Sequence, residues 1–162
     1  TGEVMGFGKS FGEAYFKAQR AAGVILPKTG NVFISVRDHD KESICEVALE
    51  LIKIGFNIFA TSGTYLHLKE SGVLCCKINK VKDGHPHIVD MIKNNEVHLI
   101  INTTEGARSI KDSFSIRKEA QNHKISLTTT VSGAKAFCKA IRFIDDFDAV
   151  DLKQRHQSLT IN

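Results

Sequence analysis

The stretch "NIFATSGTYLHLKESG" (residues 57–72) decides the fold. Ile58, Phe59 and Ala60 form a short apolar, β-prone run. Thr61, Ser62, Gly63 and Thr64 interrupt it, and Tyr65, Leu68 and Lys69 then resume at helical spacing. A strand that ends in three hydroxyls and a glycine and passes straight into a helix is half of a β-α-β unit.

The same unit recurs on both sides. "NVFISVR" (31–37) is an apolar strand. "DKESICEVALELIKIGF" (40–56) sets Ile44, Val47, Ala48, Leu51 and Ile52 against Glu42, Glu46, Glu50 and Lys53, which is the pattern of an amphipathic helix. Strands are expected in "LCCKIN" (74–79), "VHLIINTT" (97–104) and "ISLTTT" (125–130). Helices are expected in "HPHIVDMIKNN" (85–95, with Pro86 in its first turn), "SFSIRKEAQNH" (113–123) and "SGAKAFCKAIRF" (132–143). Strands apolar throughout, alternating with helices, imply a parallel sheet covered on both faces. The expected fold is α/β: a Rossmann-like three-layer sandwich around a central five-stranded parallel sheet.

Residues 1–30 stand apart. "TGEVMGFG" is glycine-rich, and "SFGEAYFKAQRAAG" (10–23) reads as a helix with Ser10 as N-cap and Gly23 as its stop. "ILPKTG" reads as a linker, and no core residue is expected before Asn31. The chain opens on Thr1 rather than Met, which leads us to expect a piece of a longer protein.

The 162 residues suit one ordinary core, and 42% hydrophobic with 25% charged residues argue against disorder. A net charge of +4 favours an anionic ligand slightly, but without a dense Lys/Arg run no nucleic-acid partner is expected. No apolar run approaches the ~18 residues of a membrane span, so no membrane partner is expected either. Cys45, Cys75, Cys76 and Cys138 contain no C-x-x-C and read as reduced, mostly buried thiols of a cytoplasmic protein.

Ligands of doubly wound sheets sit at the carboxyl ends of the strands. Here those ends carry Ser35, Arg37 and Lys41; Thr61, Ser62, Gly63 and Thr64; Lys80; Asn102, Thr103 and Thr104; and Thr128, Thr129 and Thr130. Hydroxyls, an amide and lysines with few carboxylates are what a phosphate needs. The competing reading of the Thr61–Thr64 hydroxyls is plain helix capping. No G-x-G-x-x-G follows the first strand, so a dinucleotide fingerprint is missing. His85 and His87 read as solvated loop histidines without a third metal ligand, and Asp40 of "DHD" (38–40) as an N-cap. Asp145, Asp146 and Asp148 read as a solvated acidic surface. No nucleophile–base arrangement and no metal site is expected.

In order and spacing, "TGEVMG", "SVRDHDK", "FATSGT", "NKVKDGHPHI", "INTTEG" and "IRKEA" resemble the C-terminal end of the large subunit of carbamoyl-phosphate synthetase. The resemblance implies that residues 1–30 are the tail of the second synthetase half and a linker. Residues 31–155 would be the allosteric domain of the methylglyoxal-synthase-like superfamily, and residues 156–162 a C-terminal tail. It implies regulation by nucleoside monophosphates, UMP as inhibitor and, in bacterial members, IMP. Ser35, Lys41, Thr61, Gly63, Thr64 and Lys80 would hold the effector phosphate, with Asn102 and Thr104 as further nucleotide contacts. The family's parent enzyme uses ATP with Mg or Mn, works with a small glutamine amidotransferase subunit, and feeds pyrimidine and arginine synthesis. No cofactor is implied for this stretch itself.

Two positions depart from the family's pattern. Leu127-Thr128-Thr129 stands where ornithine-responsive members carry Tyr-Asp-Thr, so a weak or absent ornithine response is expected. Ala107, beside Arg108, stands where an arginine is common. Two other functions belong with these residues. One is methylglyoxal synthase, which needs a Gly-Gly-Asp segment where this chain has Asp83 in "KVKDGHPHI". The other is an assembly module that joins large subunits into a homo-oligomer.

Overall fold

In a computed structural model the protein is described at residues 3–104, 106–145, 149 and 156, with no account of the side chains of 106–112. The readings of Ala107 and Arg108 rest on those side chains, and Asp146, Asp148 and nearly all of the expected C-terminal tail lie outside the described residues.

Five strands form one sheet: β1 (Gly30–Ser35), β2 (Phe56–Ala60), β3 (Cys76–Lys77), β4 (Leu99–Asn102) and β5 (Ser126–Thr128). Their order is β3-β2-β1-β4-β5 and all pairs are parallel. Among the described residues, six α-helices accompany them: α1 (Phe11–Ala21), α2 (Lys41–Ile54), α3 (Ser62–Glu70), α4 (Ile88–Lys93), α5 (Gly106–Asn122) and α6 (Val131–Ile141). The expected three-layer architecture is therefore present.

Pleating explains why the strands are apolar throughout. Val32 and Ile34 of β1, with Leu99 and Ile101 of β4, face Ile44, Val47 and Leu51 of α2 and Phe137 of α6. Phe33 and Ile100 point the other way, into Ile88 and Ile92 of α4 and Ile116 of α5. Full burial of such a side chain stabilises by about 1.5–3 kcal/mol. Gly55, at φ 113°, ends α2 and donates its amide to Leu51 and Ile52, a left-handed stop that other residues resist.

Several expectations need correction. The core begins before Asn31: Phe16 of α1 and Leu26 are buried in it, and Tyr15 packs on Phe137 with ring centroids 6.0 Å apart. The isolated look of residues 1–30 reflected their glycines, not their packing. β3 is two residues rather than six, because it pairs only with β2 at the sheet edge and leaves Leu74 exposed. Pro86 precedes α4 instead of entering it, since His87 is the N-cap. α5 starts at Gly106, seven residues before the apolar periodicity that signalled it. Of the cysteines only Cys138 is buried, and burial pushes its thiol up to about 12. Ser10 does cap α1, accepting from the Glu13 amide at 3.3 Å.

Candidate functional site

The strand order reverses between β1 and β4. Outside their carboxyl ends lies the crevice where doubly wound sheets bind ligands. Register levels its floor: Ser35 pairs with Asn102, and Ile34 with Ala60, so Thr61 follows directly. Three loops are stitched together there. The Ser35 and Thr61 hydroxyls lie 3.0 Å apart, the Val36 amide donates to Thr64 Oγ1 at 3.2 Å, and the Arg37 amide donates to Thr103 Oγ1 at 3.1 Å.

The Thr61–Thr64 turn is no ordinary cap. Thr61 is the N-cap residue of α3, yet its side chain makes no capping bond and meets Ser35 instead. The first helical bond is Tyr65 N–H to Thr61 carbonyl, at 2.7 Å. The amides of Ser62, Gly63 and Thr64 are thus the helix's unsatisfied donors, at its positive end. Gly63 keeps the approach open: a Cβ there would have the Lys41 ammonium as its nearest neighbour, at 3.6 Å.

Lys41 starts α2 and is salt-bridged to the exposed Asp38 at 2.7 Å. That bond holds the Asp38 carboxyl below the usual range, and the charge of Lys80 lowers it further, so both lysines act on one point in space. Asp40 occupies the N-cap position of α2 but makes no side-chain capping bond, contrary to expectation. Its carboxylate is committed to Arg37 Nε at 2.8 Å. Burial alone would raise its pKa. The bonds from Arg37 and Thr103 and the nearby charges outweigh that and lower it.

On the β4 side, Asn102 is 1% exposed. Its Oδ1 accepts from Ser113 at 3.5 Å, while its Nδ2 has no partner among the described residues. A buried amide donor without an acceptor costs about 1–3 kcal/mol, a cost offset when a ligand supplies the acceptor. Thr104 accepts from Arg117 Nη2 at 3.1 Å, and Arg117 Nε is likewise buried without a partner among the described residues. Sequence reasoning missed Ser113 and Arg117. Their signal was helical spacing: they sit four apart on α5, on the side that faces the end of β4.

The structure thus gathers Ser35, Thr61, Gly63, Thr64 and Lys41 at one rim and places Asn102 and Thr104 beside it. Lys80 stands at the start of the 3-10 turn Val81–Asp83, where its amide donates to Asp83 Oδ2 at 3.3 Å. His85 is solvent-exposed as expected, but His87 is not. His87 is 7% exposed and caps α4, and Asp90 joins both rings. Cα periodicity could not reveal this, because Asp90 falls inside the helix that His87 starts.

Fold and rim together define a Rossmann-like α/β domain with a donor-lined crevice at its topological switch point. Comparison with known proteins sharpens that class. The family described as "MGS-like domain" matches residues 43–129, more than half of the chain, and the chain belongs to that family. It is 51% identical over 159 residues to the carbamoyl phosphate synthase large chain of Pseudomonas putida, covering 98% of this chain and 15% of that protein. The Pseudomonas aeruginosa large chain is 54% identical over 143 residues, which is 88% of this chain and 13% of that one. The protein named "Carbamoyl phosphate synthase large chain, C-terminal section" of Aquifex aeolicus is 46% identical over all 162 residues and 29% of its own length. The chain thus spans about 15% of the length of the large chains it matches. No helix among the described residues is long and apolar enough to cross a membrane.

Proposed function

We propose that this chain is the C-terminal regulatory domain of a glutamine-dependent carbamoyl-phosphate synthase large subunit, and that it binds a nucleoside monophosphate. Residues 31–155 would form the domain, and residues 1–30 the tail of the second synthetase half. The observation that carries this reading is the α3 turn. Its N-cap hydroxyl is turned away from the helix, its amides point outward, and the Lys41 ammonium stands beside Gly63. Phosphate oxygens would take the amides of α3, the hydroxyls of Ser35, Thr61 and Thr64, and the charges of Lys41 and Lys80. Asn102 and Thr104 would receive the nucleoside, which supports a nucleotide over free phosphate because it gives the Asn102 donor an acceptor.

UMP as inhibitor is the first candidate and IMP the second. The domain performs no chemistry in this reading. It biases carbamoyl phosphate synthesis in a cytoplasmic enzyme whose other parts take ATP with Mg or Mn and whose partner is a glutamine amidotransferase subunit. Allostery here is a coupling free energy between separate sites. The test is calorimetric titration of the chain with UMP, IMP, uridine, ornithine and inorganic phosphate. UMP or IMP should bind, more weakly with added salt, and ornithine should give no heat. Equal affinity for uridine and UMP would sink the reading.

A further inference from the structure

Away from the crevice floor, three side chains with metal-ligand chemistry converge. His85, His87 and Asp90 offer one ligand atom each, and these atoms all lie within 4.8 Å of one another. His85 Nδ1 is 2.7 Å and His87 Nδ1 3.1 Å from the same oxygen, Asp90 Oδ2. We propose that this cluster binds a divalent transition-metal ion of the zinc class.

The orientation of His87 carries the argument. Its Nδ1 lies 3.4 Å from the Asp90 amide and 3.1 Å from Asp90 Oδ2, and its backbone amide donates to that same oxygen at 2.9 Å. A ring proton can bridge Nδ1 and Oδ2 at 3.1 Å, and a metal ion that replaces that proton finds both ligand atoms already facing one another. Zinc bonds of about 2.0–2.2 Å in a tetrahedron put neighbouring ligand atoms roughly 3.3 Å apart. The observed 2.7 and 3.1 Å need only a small opening. His85, with its side chain 76% exposed, is free to swing by that much.

The other two ligands are held firmly. His87 forms a parallel bridge with Asn79, the Ile88 amide donates to the Asn79 carbonyl at 3.3 Å, and Asn79 Nδ2 donates to the Gly84 carbonyl at 3.3 Å. Ile88 and Ile92 anchor α4 with no exposure at all. Two imidazoles and one carboxylate suit zinc, cobalt or nickel rather than calcium or magnesium, and three protein ligands leave a coordination position for water.

The chain as it stands can be titrated with zinc chloride by calorimetry and with cobalt(II) by visible absorption. The expected result is one ion per chain and a cobalt spectrum of nitrogen and oxygen ligands. His85→Ala should weaken binding by about tenfold or more, since even ligand-orienting neighbours are worth roughly 10–100-fold. Because His85 is exposed, that variant should melt like the wild type, and it decides the matter even if Asp90→Asn loosens α4. Unchanged metal affinity in His85→Ala would overturn the proposal. So would thiolate-to-cobalt charge-transfer bands, which would place the ion on Cys75 and Cys76, or no binding at all. None of these outcomes depends on whether a nucleotide binds.

Discussion

Two strand-to-helix turns of this protein look alike in sequence and are built for opposite ends. "ATSGT" enters α3 and "TTTVSG" enters α6, and each combines threonines with a glycine. At α6 the turn closes on itself: Thr130 Oγ1 accepts from the Gly133 amide at 3.0 Å, and Thr128 Oγ1 accepts from the Thr130 amide at 3.4 Å. A Cβ on Gly133 would meet Thr128 Oγ1 at 2.2 Å. At α3 the N-cap hydroxyl bonds across to β1, the amides stay open, and the space over Gly63 leads to a lysine. The α6 turn uses its hydroxyls for its own helix, whereas the α3 turn leaves its amides open. Helix starts thus differ by where the cap side chain goes, which residue type alone does not fix.

The largest expected effect separates the two turns through charge. Each lysine at the α3 rim would give a bound phosphate one charge-assisted hydrogen bond, worth about 1.5–3 kcal/mol. Lys41→Ala or Lys80→Ala should therefore weaken UMP binding roughly 10- to 150-fold at about 1.4 kcal/mol per decade. Thermal melts should barely change. In a full-length enzyme these variants should keep basal synthesis and lose nucleotide control. Intact control in both would make the α3 turn a scaffold like that of α6.

The α6 turn should respond in the opposite sense. Gly133→Ala forces a β-branched, hydrogen-bonded neighbour to move, a strain of about 1–3 kcal/mol, from which a helix propensity gain of about 0.5–1 kcal/mol is subtracted. Urea unfolding should register the net loss, and a nucleotide titration should register nothing. Unchanged stability would mean that the α6 turn is as open as that of α3.

The smallest effect concerns a third helix start, that of α2. Its Asp40 is held by Arg37 rather than used as a cap. The folded-state pKa of Asp40 lies below its ordinary 3.8. The pair therefore stabilises fully above about pH 4 and loses its contribution as pH falls through the lower folded value. Arg37 is partly exposed, so the contribution is about 0.2–1 kcal/mol. Asp40→Asn should flatten the acid limb of stability against pH, whereas Thr130→Ala should lower stability equally at every pH. An acid limb unchanged in Asp40→Asn would remove the ion pair from the account.

The sheet was legible because its signal is collective. Val32, Phe33 and Ile34, or Leu99, Ile100 and Ile101, are apolar in unbroken runs only where both faces are covered. The rim was legible as chemistry: Ser35, Lys41, Thr61, Gly63, Thr64, Asn102 and Thr104 follow from reading strand ends in order. What stayed hidden depended on contacts between distant segments. Phe16 looked like part of a segment outside the core, because the core that buries it is built from segments further along the chain, Phe137 of α6 among them. Arg117 was not singled out, because the end of β4 that it meets lies in another segment. Asp90 was not singled out either, although it sits against two histidines.

The claim that the α3 turn is an anion site is tested most directly by titrating UMP into Gly63→Ala. The new methyl fits the folded protein, with its nearest neighbour 3.6 Å away, and a helical glycine gains about 0.5–1 kcal/mol on becoming alanine. It also occupies the space between the open amides and Lys41. Stability should hold or rise while affinity falls by roughly tenfold or more, about 1.4 kcal/mol or above. UMP binding as tight as in the wild type, in a variant that melts no earlier, would contradict the claim.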